Sequence, residues 1–435
     1  MQPKIIVLDD DPTGSQTVHS CLMLTRWDVD TLRVGLADAS PLFFVLTNTR
    51  AMDAEQAAAV TWEVCHNLKE ALQGFDRLVL YVSRSDSTLR GHYPVETDVM
   101  ARVLGPFDAH FLIPAFFEGG RFTVRGIHYV RVGDKAVPAH ETEFAKDSVF
   151  GYQHSYLPAY VEEKTHGRIR ADEVVHFPLE EIRAGATYDK LMALNDNACC
   201  VVDAERQEDL NMFADEVLSA VEHGKRFLFR SAASWLTALT RLPPQPVPAE
   251  RMGQYVKPGR AGIVVVGSHV KKTTEQLKRL LREPGIVPVE VDVELLPERS
   301  ESLLAQVVEK VRQIHAAGDT PVVYTSRTER QFPDTATRLR FGEQVSAFLM
   351  SVVHALPPTI GYIVSKGGIT SNDMLSKGLQ LAAARIVGQI LPGCSVVLTP
   401  PDHPHLPDMP VVIFPGNVGD EDALATVYNR LRTST

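Results

Sequence analysis

Short runs of consecutive apolar residues, separated by longer amphipathic stretches, constrain this chain more than any other feature. "KIIVLD", "LFFVLT", "RLVLYVS", "HFLIPA", "CCVVDA" and "RFLFR" show no polar alternation and are too short for helices of ordinary length. A strand with one wet face alternates, whereas a strand covered on both faces does not. Between these runs lie helical patterns such as "DAEQAAAVTWEVCHNLKEAL", Asp53 to Leu72. Apolar strands alternating with amphipathic helices predict a mainly parallel sheet with helices on both sides.

The pattern stops at "RLPPQPVPAERMGQYVKPGRAG", Arg241 to Gly262, where prolines crowd and no period fits. It resumes in "GIVVVGS", "VPVEVDV", "PVVYTS", "IGYIVSK", "CSVVLT" and "PVVIFPG", with "SESLLAQVVEKVRQIHAAG" and "SNDMLSKGLQLAAARIVGQI" read as helices among them. A chain of 435 residues exceeds what one hydrophobic core serves. The expectation is two Rossmann-like α/β domains, residues 1–241 and 262–435, joined by a Pro-rich linker over 242–261. From Pro114 to about Tyr188 the regular pattern breaks down, as expected of functional loops.

In open α/β sheets, ligands bind beyond the carboxyl ends of strands. "DDDPTG" (Asp9 to Gly14), "SRSDSTLRG" (Ser83 to Gly91) and "PAFFEGGR" (Pro114 to Arg121) all fall there. Arg84, Asp86, Arg90 and Arg121 are therefore expected to converge with the opening aspartates. Guanidinium groups suit a carboxylate, and aspartates accept hydrogen bonds from hydroxyls. A small polyhydroxy acid satisfies both; the bland alternative is that these charges only pair with one another. In the second half, "VVVGSHVKKTTEQL", "SKGGITSNDML" and "FPGNVGDEDAL" place glycines at three strand-to-helix turns, the arrangement that cradles phosphates. None is a Walker motif, and no G-x-G-x-x-G stands at a first strand.

A formal net charge of −10 disfavours nucleic acid and anionic membranes as partners. Five cysteines without a C-x-x-C, and no leader-like or membrane-length apolar run, point to the cytoplasm. His403 and His405 in "DHPHLP" read as a surface loop, and no residue is assigned to a metal.

Taken together and in this order, "DDDPTG", "SDSTLRG", "PAFFEGGR", "GSHVKKTTEQ", "KGGITSND" and "PGNVGDEDAL" resemble the four-carbon acid sugar kinase family. The resemblance implies that Asp10, Asp11, Arg84, Asp86, Ser87, Arg90 and Arg121 line a sugar-acid site, with Thr13 beside them. Arg84 and Arg90 would hold the carboxylate, and one of Asp10, Asp11 or Asp86 would orient or deprotonate the attacking hydroxyl. It implies ATP with Mg²⁺ at Ser268, Gly367, Gly368, Thr370, Gly416, Asn417 and Gly419. The expected partners are a sugar acid and ATP, with a homo-oligomer left open. Two rival readings stand beside this. Asp9 to Thr13 also satisfies the D-x-D-x-T signature of haloacid-dehalogenase-like phosphatases, with Asp9 as nucleophile. A two-lobed sugar-acid-binding protein without chemistry is the other.

Overall fold

Strand β1, Lys4–Asp9, is buried along its whole length, as an apolar run at the centre of a covered sheet requires. The computed structural model describes residues 3–327, 335–416 and 418–432, so Asn417 lies outside the described residues. By its internal contacts the chain divides into two units, Met1–Pro243 and Pro244–Thr435.

In the first unit β1 is followed by β2 (Cys21–Leu24), β3 (Leu42–Leu46), β4 (Val79–Arg84) and β5 (Ala109–Ile113). After β6 (Arg121–Val124), β7 (Ile127–Val132) and β8 (Lys135–Pro138) come β9 (Val175–Phe177), β10 (Ala198–Val202) and β11 (Phe227–Ser231). The main sheet runs β2-β3-β1-β4-β11-β5-β10-β9, every pair parallel. Helix Ala54–Ala71 begins at Asp53, whose side chain accepts from Gln56 N while the Gln56 side chain reaches back, a reciprocal cap on two otherwise unpaired donors.

The stretch from Pro114 to Tyr188 is more ordered than its sequence suggests. Strands β6, β7 and β8 form a separate antiparallel sheet. Tyr152, Leu157, Tyr160 and Val161 then bury themselves with Leu89, Tyr93 and Leu112. Its apolar residues are spent on a satellite core rather than on a regular period.

The second unit carries β12 (Ile263–Val266), β13 (Ile286–Val291), β14 (Thr320–Thr325), β15 (Ile363–Lys366), β16 (Ala383–Leu391), β17 (Cys394–Leu398) and β18 (Pro410–Phe414). The order is β13-β14-β12-β15-β18-β17-β16, parallel up to β18 and antiparallel beyond it. Two readings of the sequence change here. "SNDMLSKGLQLAAARIVGQI" is not one helix: a short helix, Gly368–Asp373, ends and β16 begins at Ala383. Gly388, at φ +147°, sits where the β16–β17 register shifts, so the bulge hid the strand's alternation. The Pro-rich stretch 242–261 is not a free tether either. Val247, Met252 and Val256 are buried in the second unit's core, and Gln245 bridges to both the N–H and the carbonyl of Gln389. Among the described residues no helix is long and apolar enough to cross a membrane.

Candidate functional site

Side chains alternate faces along a strand, and that alternation splits the acidic run. Asp9 is in register with Arg84 across the β1–β4 pair, so the two share one face of the sheet. That face is closed. Asp9 is 0% exposed, and its two carboxylate oxygens have no hydrogen-bond partner among the described residues. Gly14 presses on it so closely that a Cβ there would fall 2.0 Å from Asp9 Oδ2. Burial therefore raises Asp9 well above the usual carboxylate range, with Arg84 opposing and Asp10 and Asp11 adding to the rise. A carboxyl sealed in this way, with Gly14 pressed against both oxygens, has no open approach for a phosphate, which counts against the phosphatase reading. Arg84 is sealed with it, donating to the Ser85 carbonyl and, at 3.2 Å, to Gln16 Oε1. The expected pairing of Arg84 with Arg90 around a carboxylate is not what the geometry offers.

Asp10 points the other way, into a network that sequence reading missed. It accepts from Arg50, just beyond β3, and from Ser85 Oγ at 2.6 Å. Arg230, at the end of β11, donates to Ser85 Oγ and Ser83 Oγ, each at 2.7 Å, and to Glu96 Oε2 at 2.6 Å. Thr49 Oγ1 donates to the other Glu96 oxygen at 2.6 Å. Contacts between residues 47, 75 and 134 positions apart thus hold two carboxylates, those of Asp10 and Glu96, in one network. Ser85 lies inside "SRSDSTLRG" and Arg50 just past a strand end, whereas nothing in the sequence marks Glu96.

Asp11 lies in the turn after β1. Its Oδ1 accepts from the backbone N–H of Thr13 at 2.8 Å and from the Thr13 hydroxyl. Its Oδ2 has the Arg50 guanidinium at 3.6 Å, and the side chain keeps 19% of its exposure. Asp86 accepts from Arg90 Nε at 2.8 Å and from the Thr88 hydroxyl. Burial alone would raise its carboxyl, but Arg90 and Arg50 outweigh burial and hold it well below the usual range. Arg90 and Arg121 both lie over the ring of Phe144, at 5.1 and 5.9 Å from its centre. Ser85, Asp86, Arg90 and Arg230 line a small cleft walled by Tyr93 and Tyr160.

The loop carrying Ser87 is pinned from outside. Three successive carbonyls, of Ser87, Thr88 and Leu89, accept from His128 Nε2 at 2.7 Å, Tyr152 Oη at 2.8 Å and Tyr160 Oη at 2.9 Å. Burial lowers His128 to about 4, so the ring is neutral, with its proton on Nε2 and Nδ1 accepting from Thr123 Oγ1. The excursion between β5 and β9 thus fixes the backbone that presents Asp86 and Arg90.

In the second unit β12, β15 and β18 are neighbours, so their three glycine turns emerge side by side. A Cβ on Gly267 would sit 2.2 Å from Thr370 Oγ1, one on Gly367 3.0 Å from Ser268 Cβ, and one on Gly416 3.2 Å from Ser268 Oγ. Ser268, Gly367, Gly368, Thr370 and Gly416 are thereby brought together. Gly419, at φ +82°, is farther along the third turn, where Gln276 Nε2 holds the carbonyls of Val418 and Asp420 at 2.9 and 2.7 Å. Helix Lys271–Leu280 has no acidic residue in its first turn and opens instead on Lys271 and Lys272. Cations at the positive end of a helix are unfavourable unless an anion is shared there. His403 serves its loop, accepting from Leu406 N and bonding the Leu379 carbonyl at 2.8 Å.

Residues 5–239 match the sugar-binding N-terminal domain and residues 263–424 the nucleotide-binding C-terminal domain. A D-erythronate kinase of Heliobacterium modesticaldum is 23% identical over 99% of this chain and 97% of its own length. A D-threonate kinase of Bordetella bronchiseptica is 33% identical over 36% of this chain and 38% of its own. A solved structure from Salmonella typhimurium LT2 superposes with a TM-score of 0.71 at 17% identity, covering 99% of both chains. One from Haemophilus influenzae gives 0.64 at 18%, covering 98% of this chain and 100% of the other; at such identities these two show the fold alone. With both domains matched in order and the motifs of each edge in place, the chain belongs to the four-carbon acid sugar kinase family.

Proposed function

We propose that this protein is a kinase that transfers the γ-phosphoryl group of ATP to the terminal hydroxyl of a four-carbon sugar acid of the threonate, erythronate or 3-oxo-tetronate type. The observation that carries this is Arg121. Arg50, Arg90 and Arg230 each have a carboxylate partner. Arg121 has none among the described residues: it donates to the Gly119 carbonyl, lies over Phe144, and leaves its buried Nε unpaired. A buried guanidinium with an unused donor is matched by a ligand carboxylate. Arg121 and Arg90 take the acid end, and the acidic groups take the hydroxyls.

Phosphoryl transfer asks the protein chiefly for position and charge neutralisation. Asp10 is fully engaged and Asp86 is held as a weak base by its cations. Asp11, whose Oδ2 has Arg50 only at 3.6 Å and whose side chain keeps some exposure, is the group that accepts the proton as the hydroxyl oxygen bonds to the γ-phosphorus and the bridging oxygen leaves with ADP. The three glycine turns and the paired lysines of helix Lys271–Leu280 support triphosphate binding. Mg²⁺ enters as part of the nucleotide substrate, on phosphate oxygens. Among the described residues no group of three or more His, Cys, Asp or Glu is placed to hold a metal.

The test is to incubate the full chain with MgATP and a panel of four-carbon aldonates and their 3-oxo forms, scoring ADP release and the phosphomonoester by ³¹P NMR. Asp11→Asn and Arg90→Ala are expected to abolish turnover while ATP still binds. Release of no ADP with any acid refutes the function; wild-type turnover by both variants refutes the site.

A further inference from the structure

Lys366 ends β15 directly before the double glycine, and it is 0% exposed. Its ammonium donates to the carbonyls of Pro415 at 2.5 Å and Gly416 at 3.3 Å and stands 3.9 Å from the centre of the Phe414 ring. Burying a cation is costly unless a counter-charge comes with it, and dipoles and a ring face replace only part of its hydration. No carboxylate forms an ion pair with Lys366 among the described residues. The titratable groups whose charge acts on it are Cys394 and Lys272. Cys394 is a thiol that burial pushes up to about 12, hence neutral, and Lys272 is another cation. The neighbourhood therefore adds positive charge rather than cancelling it.

The ammonium also shapes the turn. A trans peptide is planar, with its C=O and N–H opposed. Drawing the Pro415 carbonyl onto Lys366 therefore directs the Gly416 N–H away from the buried charge, toward the outer side of the turn. Lys366 braces the third glycine turn from beneath and sets the direction of its first amide.

We propose that Lys366 is a positioning residue for the nucleotide, a buried cation whose counter-charge is the bound triphosphate. This rests on the nucleotide reading of the second unit and goes beyond it by making nucleotide affinity depend on a protonation inside the fold. Burial pulls the Lys366 ammonium down to about 7, with Cys394 opposing and Lys272 adding to the effect. An incoming polyanion favours the ammonium and moves its pKa back up. Below about pH 7 the group is already charged and contributes no pH dependence. Above it, binding draws in a proton, and affinity falls as pH rises until the pKa of the bound state is passed.

The experiment is calorimetry of MgATP binding to the full chain in buffers of different ionisation enthalpy, near pH 6 and near pH 8, for the wild type and for Lys366→Met. Thermal unfolding of both proteins runs alongside. The wild type should take up approaching one proton near pH 8 and far less near pH 6. Lys366→Met should bind roughly tenfold more weakly near pH 6 and lose the uptake, yet unfold at the same temperature or higher, because a charge that lacks its counter-ion no longer has to be buried. A purely structural lysine would show the reverse, a lower unfolding temperature with no change in proton linkage. Nucleotide binding without proton uptake near pH 8, or unchanged affinity in Lys366→Met, overturns the proposal. Failure of the wild type to bind nucleotide at all overturns the reading beneath it. Should the variant not fold, the buffer dependence of the wild type alone decides.

Discussion

Glu96→Gln tests whether the network behind Asp10 is held by charge or only by shape. Glu96 and Arg230 retain 6% and 8% of their side-chain exposure, with Nη1 and Oε2 2.6 Å apart. Both carboxylate oxygens are used, one by Arg230 and one by Thr49. Glutamine has the same outline but one acceptor oxygen, so either the guanidinium or the hydroxyl must face an NH₂. The Thr49 hydroxyl can turn to accept from that NH₂, its own proton passing to Thr47 Oγ1 at 3.2 Å, but the bond to Arg230 loses its ionic partner and the guanidinium stays buried without its counter-charge. Breaking a buried pair on one side typically costs about 3–5 kcal/mol, a large part of the ~5–15 kcal/mol that holds a domain folded. Trp27, Trp62 and Trp235 all lie within Met1–Pro243, so tryptophan emission in a urea titration follows the first unit alone. Glu96→Gln should lower its midpoint with little change in slope. Adding Arg230→Met should recover part of the loss, because the double variant buries no lone charge. A loss under about 1 kcal/mol, or strict additivity in the cycle, would show that the pair is not what fixes Ser85 and Asp10.

Two further outcomes concern the same edge. Because burial raises the Asp9 carboxyl above its unfolded range, the stability contribution of this group falls as pH rises from about 4; Asp9→Asn should be at least as stable as wild type at neutral pH and lose less stability as pH rises from about 4, and a loss above ~1 kcal/mol in urea titration would show that Asp9 is ionised and paired. Gly91 sits at φ +125° with an added Cβ 2.4 Å from Ser85 Oγ and 2.6 Å from Arg230 Nη2; Gly91→Ala should cost about 2 kcal/mol or more and collapse turnover while ATP binding persists, and wild-type turnover would refute the close approach.

Sequence reading reached the strands, the edge and the glycine turns because each is local. β1 and β4 announce themselves by uninterrupted apolar runs, and the residues directly after a strand in an α/β fold lie at its carboxyl edge. It misjudged Arg84 although the signal was present. Successive residues at a strand end face opposite ways, so Arg84, in register with Asp9, goes to the face that Asp10 leaves. The Glu96–Arg230 pair was illegible for a different reason. Its members are 134 residues apart on a helix and a strand whose adjacency exists only in the folded sheet. His128, Tyr152 and Tyr160 were hidden in the same way, since nothing local says that three side chains will take three consecutive carbonyls. β16 was misread because its glycine bulge erased the period of two that would have marked a strand.

The acidic run that opens the chain is thus three groups with three fates, set by strand geometry rather than by residue type. Asp9 is turned inward and its carboxyl raised by burial, Asp10 is committed to Arg50 and Ser85, and Asp11, one residue past Asp10, keeps its Oδ2 3.6 Å from Arg50 and its side chain partly exposed. The cations divide in parallel. Arg50 serves Asp10 and Asp11, Arg90 serves Asp86 and lies 3.7 Å from Asp147, and Arg230 serves Glu96. That leaves Arg121 as the charge at this edge for a ligand to answer. Under the proposed function, a neutral four-carbon polyol could reproduce every hydroxyl contact of the acid and still leave a buried guanidinium donor unpaired. Sites built around a buried polar group reject ligands that fail to pair it far more strongly than apolar pockets reject a missing methylene. Selection for an acid rather than for the sugar skeleton then resides in Arg121 and the Phe144 ring beneath it, while the choice among stereoisomers falls to the groups around Asp11.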